Sequence, residues 1–199
     1  PYIHLDLADQ IARTGVYGVN EGEISAPSSS ILWPLLLIPL HDTPFHLYLP
    51  LLLATLSALA AAATLSRVVR LLIGEEADED FVALFACMSA IILNLPGLAL
   101  MGMEHATQIF LTLVSVLGVL QVLQGQQPRW WLWAVLFLAP LIRYENIITT
   151  TGALGILLWC GYGRAALATL VLTLAALGSF SLYLVQLGLD PLPSSTLVK

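Results

Sequence analysis

Charge is what this sequence has least of. Asp, Glu, Lys and Arg make up 10% of its 199 residues, against about 25% in a soluble domain. Apolar residues reach 58% and mean hydropathy is +0.88. So few charges cannot cover the surface of a water-soluble domain, which excludes a soluble enzyme, a nucleic-acid binder and a disordered tail. Cysteine is nearly absent. Cys87 and Cys160 both lie inside apolar runs, where a lone thiol acts as a small hydrophobe, and no disulfide framework follows. There is no Walker loop, no dinucleotide glycine fingerprint, no zinc spacing and no basic stripe for nucleic acid. No internal repeat is visible.

What is present is a series of uncharged runs: residues 47–66, 81–103, 106–128, 146–163 and 165–189, with a shorter one at 130–142. A helix needs about 20 residues to cross a hydrocarbon core of roughly 30 Å. The pattern predicts an all-α polytopic transmembrane helical bundle with about six crossings. The run at 130–142 needs its flanks to span. Asn94 and Pro96-Gly97 predict a kink in the outer half of the second run. Trp130, Trp131 and Trp133 mark an interface. With six crossings, Arg67, Arg70, Arg129 and Arg164 fall on one side, and Arg13, Arg143 and Lys199 on the other. The four-to-three excess places the first side inside.

Three regions result. Residues 1–46 form an extracytoplasmic loop, 47–189 the transmembrane helical bundle, and 190–199 a second extracytoplasmic segment. Within the first, Ile3, Leu7 and Ile11 repeat every four residues with Ala8 and Ala12 alongside, predicting an interfacial amphipathic helix over 1–14. Residues 15–30 read as a loop. The apolar stretch 31–40 is short and holds Pro34 and Pro39, so it dips into the membrane without crossing. The acidic run Glu75, Glu76, Asp78, Glu79 and Asp80 reads as a solvated loop, with a divalent-metal site as the alternative.

The polar residues that could carry chemistry gather on the outer side. Glu104-His105 joins two long runs and could supply a base, a metal ligand or a headgroup contact, or Glu104 could cap the following helix. Arg143-Tyr144-Glu145 abuts a short run, placing a guanidinium near headgroup depth. Arg143 then meets a phosphate through its planar fork, or pairs with an acid within the chain. The segment Asp190-Pro191-Leu192-Pro193-Ser194 reads as a rigid polar stretch or a simple loop. His4, Asp6 and Asp9 share the first helix, where the two acids form a carboxylate pair or a solvated face. Glu21, Glu23, Asp42 and His46 are individually uninformative.

In order, the stretch from Tyr2 through Asp6 and Asp9, Asn20-Glu21-Gly22-Glu23, Pro27-Ser28-Ser29-Ser30 running into Trp33-Pro34, Gly102-Met103-Glu104-His105, Leu141-Ile142-Arg143-Tyr144-Glu145 and Leu192-Pro193-Ser194 through Lys199 resembles the N-terminal half of GT-C integral membrane glycosyltransferases. The likeness is to the arabinofuranosyltransferase-like branch of actinobacterial cell-wall enzymes and touches the whole chain. Glu104, Arg143, Glu145 and Lys199 match that pattern. Tyr144 stands where the family has proline, and Ser194 where it has asparagine. The family's acidic pair, with its catalytic base, stands just before the residues matching Pro1-Tyr2-Ile3. Asp6 and Asp9 do not match it. The resemblance therefore implies a fragment whose catalytic acid and first transmembrane helix precede Pro1.

The activity it implies is transfer of a sugar from a polyprenyl-phosphate donor to an extracytoplasmic glycan or other acceptor, in a bacterial plasma membrane. Glu104, His105, Arg143, Glu145, Ser194 and Lys199 are the expected substrate-binding residues. Arg143 with Lys199 would hold the donor phosphate, while Glu104 and Glu145 shape the sugar or acceptor site. A divalent metal at the leaving phosphate is left open by the sequence. The alternatives are a transporter or flippase of a lipid-linked substrate, or a non-catalytic assembly subunit.

Overall fold

The computed structural model describes residues 2–19, 24–74 and 78–193. Nine α-helices and two 3-10 segments account for most of these residues, and no strand occurs among them. Helix α1 (Tyr2–Thr14) is followed by α2 (Leu32–Leu37), then 3-10 segments at Ile38–Leu40 and Pro44–Tyr48. Next come α3 (Leu49–Ile73), α4 (Glu79–Ile92), α5 (Leu95–Met101) and α6 (His105–Leu123). The chain closes with α7 (Trp130–Ile142), α8 (Asn146–Trp159) and α9 (Gly163–Gln186).

Among the described residues, three helices are long and apolar enough to cross a membrane: Pro44–Ile73, His105–Leu123 and Gly163–Gln186. A fourth crossing is available if α4 and α5 act as one span bent by 50°. The bend falls where Asn94 and Pro96 predict it. Asn94 sits in the left-handed region (φ 52°) and opens α5, with Pro96 in its first turn. Helices α7 and α8 have 13 and 14 residues, about 20 Å each at 1.5 Å per residue, and so fall short of a full crossing.

Small residues set the tightest packing. Ala54, Ala58 and Ala61 of α3 meet Ala99 of α5 and Ala106 of α6 in one buried cluster, where short side chains let backbones approach. Ser57 Oγ and Thr107 Oγ1 share a hydrogen bond of 2.8 Å across α3 and α6. Gly118 of α6 lies against Leu132 of α7, and a Cβ there would stand 2.6 Å from Leu132 Cδ1.

The α7–α8 turn is built by proline. Pro140 lies inside α7 and has no N–H for the carbonyl four residues back. That carbonyl, of Leu136, accepts from Thr150 Oγ1 at 3.3 Å instead. Asn146 Nδ2 donates to Ala139 O at 3.0 Å. These two bonds fold α8 back on α7 and project the intervening residues, Arg143 to Glu145, at the end of the pair.

Two segments of the first region depart in detail from the periodic pattern. Helix α1 buries His4, Leu5, Leu7 and Ala8, while Ile3 is 55% exposed. The buried stripe is rotated from the apolar repeat because His4 turns inward to a carboxylate. Residues 31–40 form only the six-residue α2 and a 3-10 turn. Ser30 Oγ accepts from Trp33 N at 2.9 Å to start α2. Trp33 then packs on Leu5, Ala8 and Leu37.

Candidate functional site

Three chain segments bring charged side chains together at one end of the bundle. Helix α1 contributes His4. The α5–α6 turn contributes Glu104 and His105, and the α7–α8 turn Arg143 and Glu145. Gly102 makes the α5–α6 turn by adopting φ 60°. Its Cα side faces Leu51 N and Pro50, and a Cβ would stand 3.4 Å from that nitrogen. The 28–30 loop is pinned beside Arg143 by Ile31 N donating to Leu141 O at 3.0 Å and Tyr144 N to Ser29 O at 3.4 Å.

Arg143 is the hub. Its Nη2 donates to Glu145 Oε1 at 2.7 Å and its Nε to Glu145 Oε2 at 3.1 Å, a bidentate fork. Its Nη1 reaches Glu104 Oε1 at 3.3 Å and contacts His105 Nδ1. Glu104 Oε2 lies 3.2 Å from His4 Nε2, close enough to pair but not in hydrogen-bond alignment, so that oxygen keeps no aligned donor. Arg143 is 7%, Glu104 2% and His4 6% exposed. Glu145 is half-buried.

The balance of two carboxylates against one guanidinium leaves the cluster acid-rich. Burial alone would push the Glu104 carboxyl up. The contact with His4, the turn's own backbone N–H and the Arg143 charge outweigh it and hold the group below its usual range. Burial pushes the Tyr144 phenol up to about 12, and its hydroxyl has no partner. Tyr17, whose hydroxyl donates to Ser30 O at 3.4 Å, is pushed further up by burial and by the neighbouring Tyr144 and Tyr183.

Beside the cluster lies a cleft of about 510 Å³. Tyr2, His4, Ser28, Glu104, His105 and Arg143 are among its walls. A second cleft of about 360 Å³ shares Tyr2 and runs over Tyr48, Leu51 and Leu100, all exposed apolar or aromatic side chains. A recess bearing the charged cluster thus adjoins one walled by apolar and tyrosine side chains along the surface of α1, α3 and α5. Such a pair can hold an amphiphile, head in the first and chain in the second.

Of the residues expected from sequence, Glu104, His105, Arg143 and Glu145 are brought together. Ser194 and Lys199 lie outside the described residues, as do Glu21, Glu23, Glu75 and Glu76. Glu104 stands at the N-cap of α6 but makes no side-chain cap hydrogen bond. Its carboxylate serves the cluster. Arg143 pairs within the chain, so a phosphate reaches it only by sharing or displacing a carboxylate. Asp9 pairs with Arg13 at 2.9 Å and Asp6 is exposed, a solvated face rather than a carboxylate pair. Asp78 caps α4 through Asp80 N, and Glu79 meets Arg70 at 3.4 Å. No group of His, Cys, Asp and Glu suited to a metal ion occurs among the described residues.

Sequence reasoning grouped His4 with Asp6 and Asp9 and did not place it, Ser28 or Tyr2 at this site. Nothing local to His4 distinguishes it; only the docking of α1 against the α5–α6 turn places it on Glu104. Comparison with protein-family models, curated proteins and solved structures gives no match to this chain.

Proposed function

We propose that this chain is part of an integral membrane glycosyltransferase that moves a sugar from a polyprenyl-phosphate donor to an extracytoplasmic glycan or other acceptor. The observation that carries the reading is the convergence of His4, Glu104, His105, Arg143 and Glu145 beside a cleft that adjoins a second one walled by apolar and tyrosine side chains. Buried charges in a membrane bundle are costly and persist where they serve a site. The donor has the same division, a hydroxylated phosphate head and a hydrocarbon tail.

In this reading α7 and α8 complete their crossings with flanking residues, giving six crossings with both ends of the chain outside. The cleft faces the extracytoplasmic side of a bacterial plasma membrane. The donor phosphate takes the Arg143 fork from Glu145. One anion replaces another, so the buried charge is unchanged. Glu145 swings out on its exposed edge toward the acceptor, and Glu104 stays on Arg143 to hold its orientation. Lys199 and Ser194 would complete the phosphate side. The acceptor hydroxyl loses its proton to a base as it attacks the anomeric carbon, and the polyprenyl phosphate leaves.

The broken α4–α5 pair favours one second reading, a transporter or flippase of a lipid-linked substrate, since such proteins use interrupted helices at their sites. The test is the full-length protein in proteoliposomes with labelled polyprenyl-phosphate sugar and a glycan acceptor. The glycosyltransferase reading expects a new glycosidic product, lost in Arg143→Ala. Movement of intact donor between leaflets without product would establish the transporter instead.

A further inference from the structure

A separate groove lies at the other end of the bundle. Helix α8 starts three residues after Arg143 and carries the chain about 20 Å away before the turn into α9. Between the two helices runs a groove of about 440 Å³, walled by Leu154, Gly155 and Leu158 of α8 and Arg164, Leu167 and Leu170 of α9. Its lining is apolar apart from Arg164 at the mouth and Thr151 at the far end. Gly155 borders open space in it, since a Cβ there would meet nothing within 4 Å.

Its dimensions and charge match one kind of occupant. The stretch from Gly163 to Leu170 rises about 11 Å, on the order of one leaflet's share of a 30 Å core. Trp130 and Trp159 are both exposed and stand at this end, where indole rings mark headgroup depth. Arg164 is exposed there. So is Arg129, on a loop tied to the α8–α9 turn by Tyr162 Oη donating to Gln127 Oε1 at 3.1 Å. Arg13, Arg70 and Arg143 all have acidic partners. Arg67, Arg129 and Arg164 have none among the described residues, and only Arg164 lines this groove. An unpaired guanidinium over a leaflet-deep apolar slot complements a phosphate with a hydrocarbon chain beneath it.

We propose that the α8–α9 groove binds one acyl chain of an anionic phospholipid from the surrounding bilayer, with the lipid phosphate on Arg164. Arg129 adds positive potential at the same end. This site is independent of the charged cleft and of the glycosyltransferase reading.

The experiment is native mass spectrometry of the delipidated full-length protein titrated with phosphatidylglycerol or phosphatidylcholine of equal chain length. Wild type, Arg164→Gln and Gly155→Leu are compared, with folding checked by circular dichroism. The wild type should retain phosphatidylglycerol about tenfold better than phosphatidylcholine, whose phosphate is the same but whose choline cation is repelled by Arg164 and Arg129. Arg164→Gln should remove most of that preference, leaving what Arg129 supplies. Gly155→Leu, which fills the slot without touching Arg164, should lower retention of both lipids. Inorganic phosphate at the same concentrations should not displace the lipid. Equal retention of the two lipids by wild type overturns the proposal. So does undiminished retention by Gly155→Leu, which would mean a headgroup contact on the surface alone. If wild type retains neither lipid and Gly155→Leu lowers the melting temperature, a protein segment fills the groove and the proposal is wrong.

Discussion

Arg143 holds Glu145, two residues along the chain, through both carboxylate oxygens, at 2.7 and 3.1 Å. The same guanidinium reaches Glu104, 39 residues earlier, at 3.3 Å. One pair is local and half-exposed. The other is buried and ties the α5–α6 turn to the α7–α8 turn. The two should answer differently to substitution.

Removing the guanidinium leaves Glu104 buried without its cation. Arg143→Ala should therefore cost about 3 kcal/mol of stability, the usual penalty for breaking a buried pair from one side. Arg143→Met combined with Glu104→Gln removes both charges and should cost clearly less. Thermal unfolding of the detergent-solubilised protein reads both. A double variant as unstable as Arg143→Ala would mean that the pair's charges are not what holds the two turns together.

Glu104 also sets an acid limit. Its folded-state pKa lies below the ordinary 4.5, so its contribution to stability is full above that value. The contribution is lost as pH falls through the lower, folded pKa. Melting temperature should drop below pH 4.5 in wild type and drop less in Glu104→Gln. Were burial the dominant influence, the folded pKa would be raised and Glu104 would instead weaken the fold as pH rises past 4.5.

The sequence made part of this site legible. Glu104, His105, Arg143 and Glu145 stand at the ends of apolar runs, where charge is conspicuous. The α4–α5 break was readable from Asn94 and Pro96, because left-handed backbone and a missing N–H are local properties. His4 was not readable. Its role depends on a turn 100 residues away, and its inward rotation exposes Ile3 against the apolar repeat. The run at 130–142 does locate α7, but not what holds its end, where Asn146 and Thr150 donate hydrogen bonds to the Ala139 and Leu136 carbonyls.

Tyr144 carries a buried hydroxyl with no partner, and a polar group in that state costs about 1–3 kcal/mol. Tyr144→Phe should leave stability unchanged or raise it by about 1 kcal/mol. Its phenol, pushed up to about 12 by burial, should stay protonated well past the pH at which exposed tyrosines ionise. The absorbance difference at 295 nm between wild type and Tyr144→Phe should then stay flat up to about pH 11. A difference appearing near pH 10 would place the hydroxyl in water.

The claim that a donor phosphate exchanges with Glu145 on Arg143 is tested most directly by equilibrium affinity for a non-transferable polyprenyl-phosphate sugar analogue. The protein is full-length, reconstituted in lipid, as wild type, Glu145→Gln and Arg143→Lys. Glutamine is a weaker competitor for the guanidinium fork than glutamate, so Glu145→Gln should bind the analogue several-fold tighter than wild type. Arg143→Lys keeps the charge but loses the fork and should bind it substantially more weakly. Unchanged affinity in both folded variants would contradict the account and make Arg143 and Glu145 a structural clasp with no part in binding.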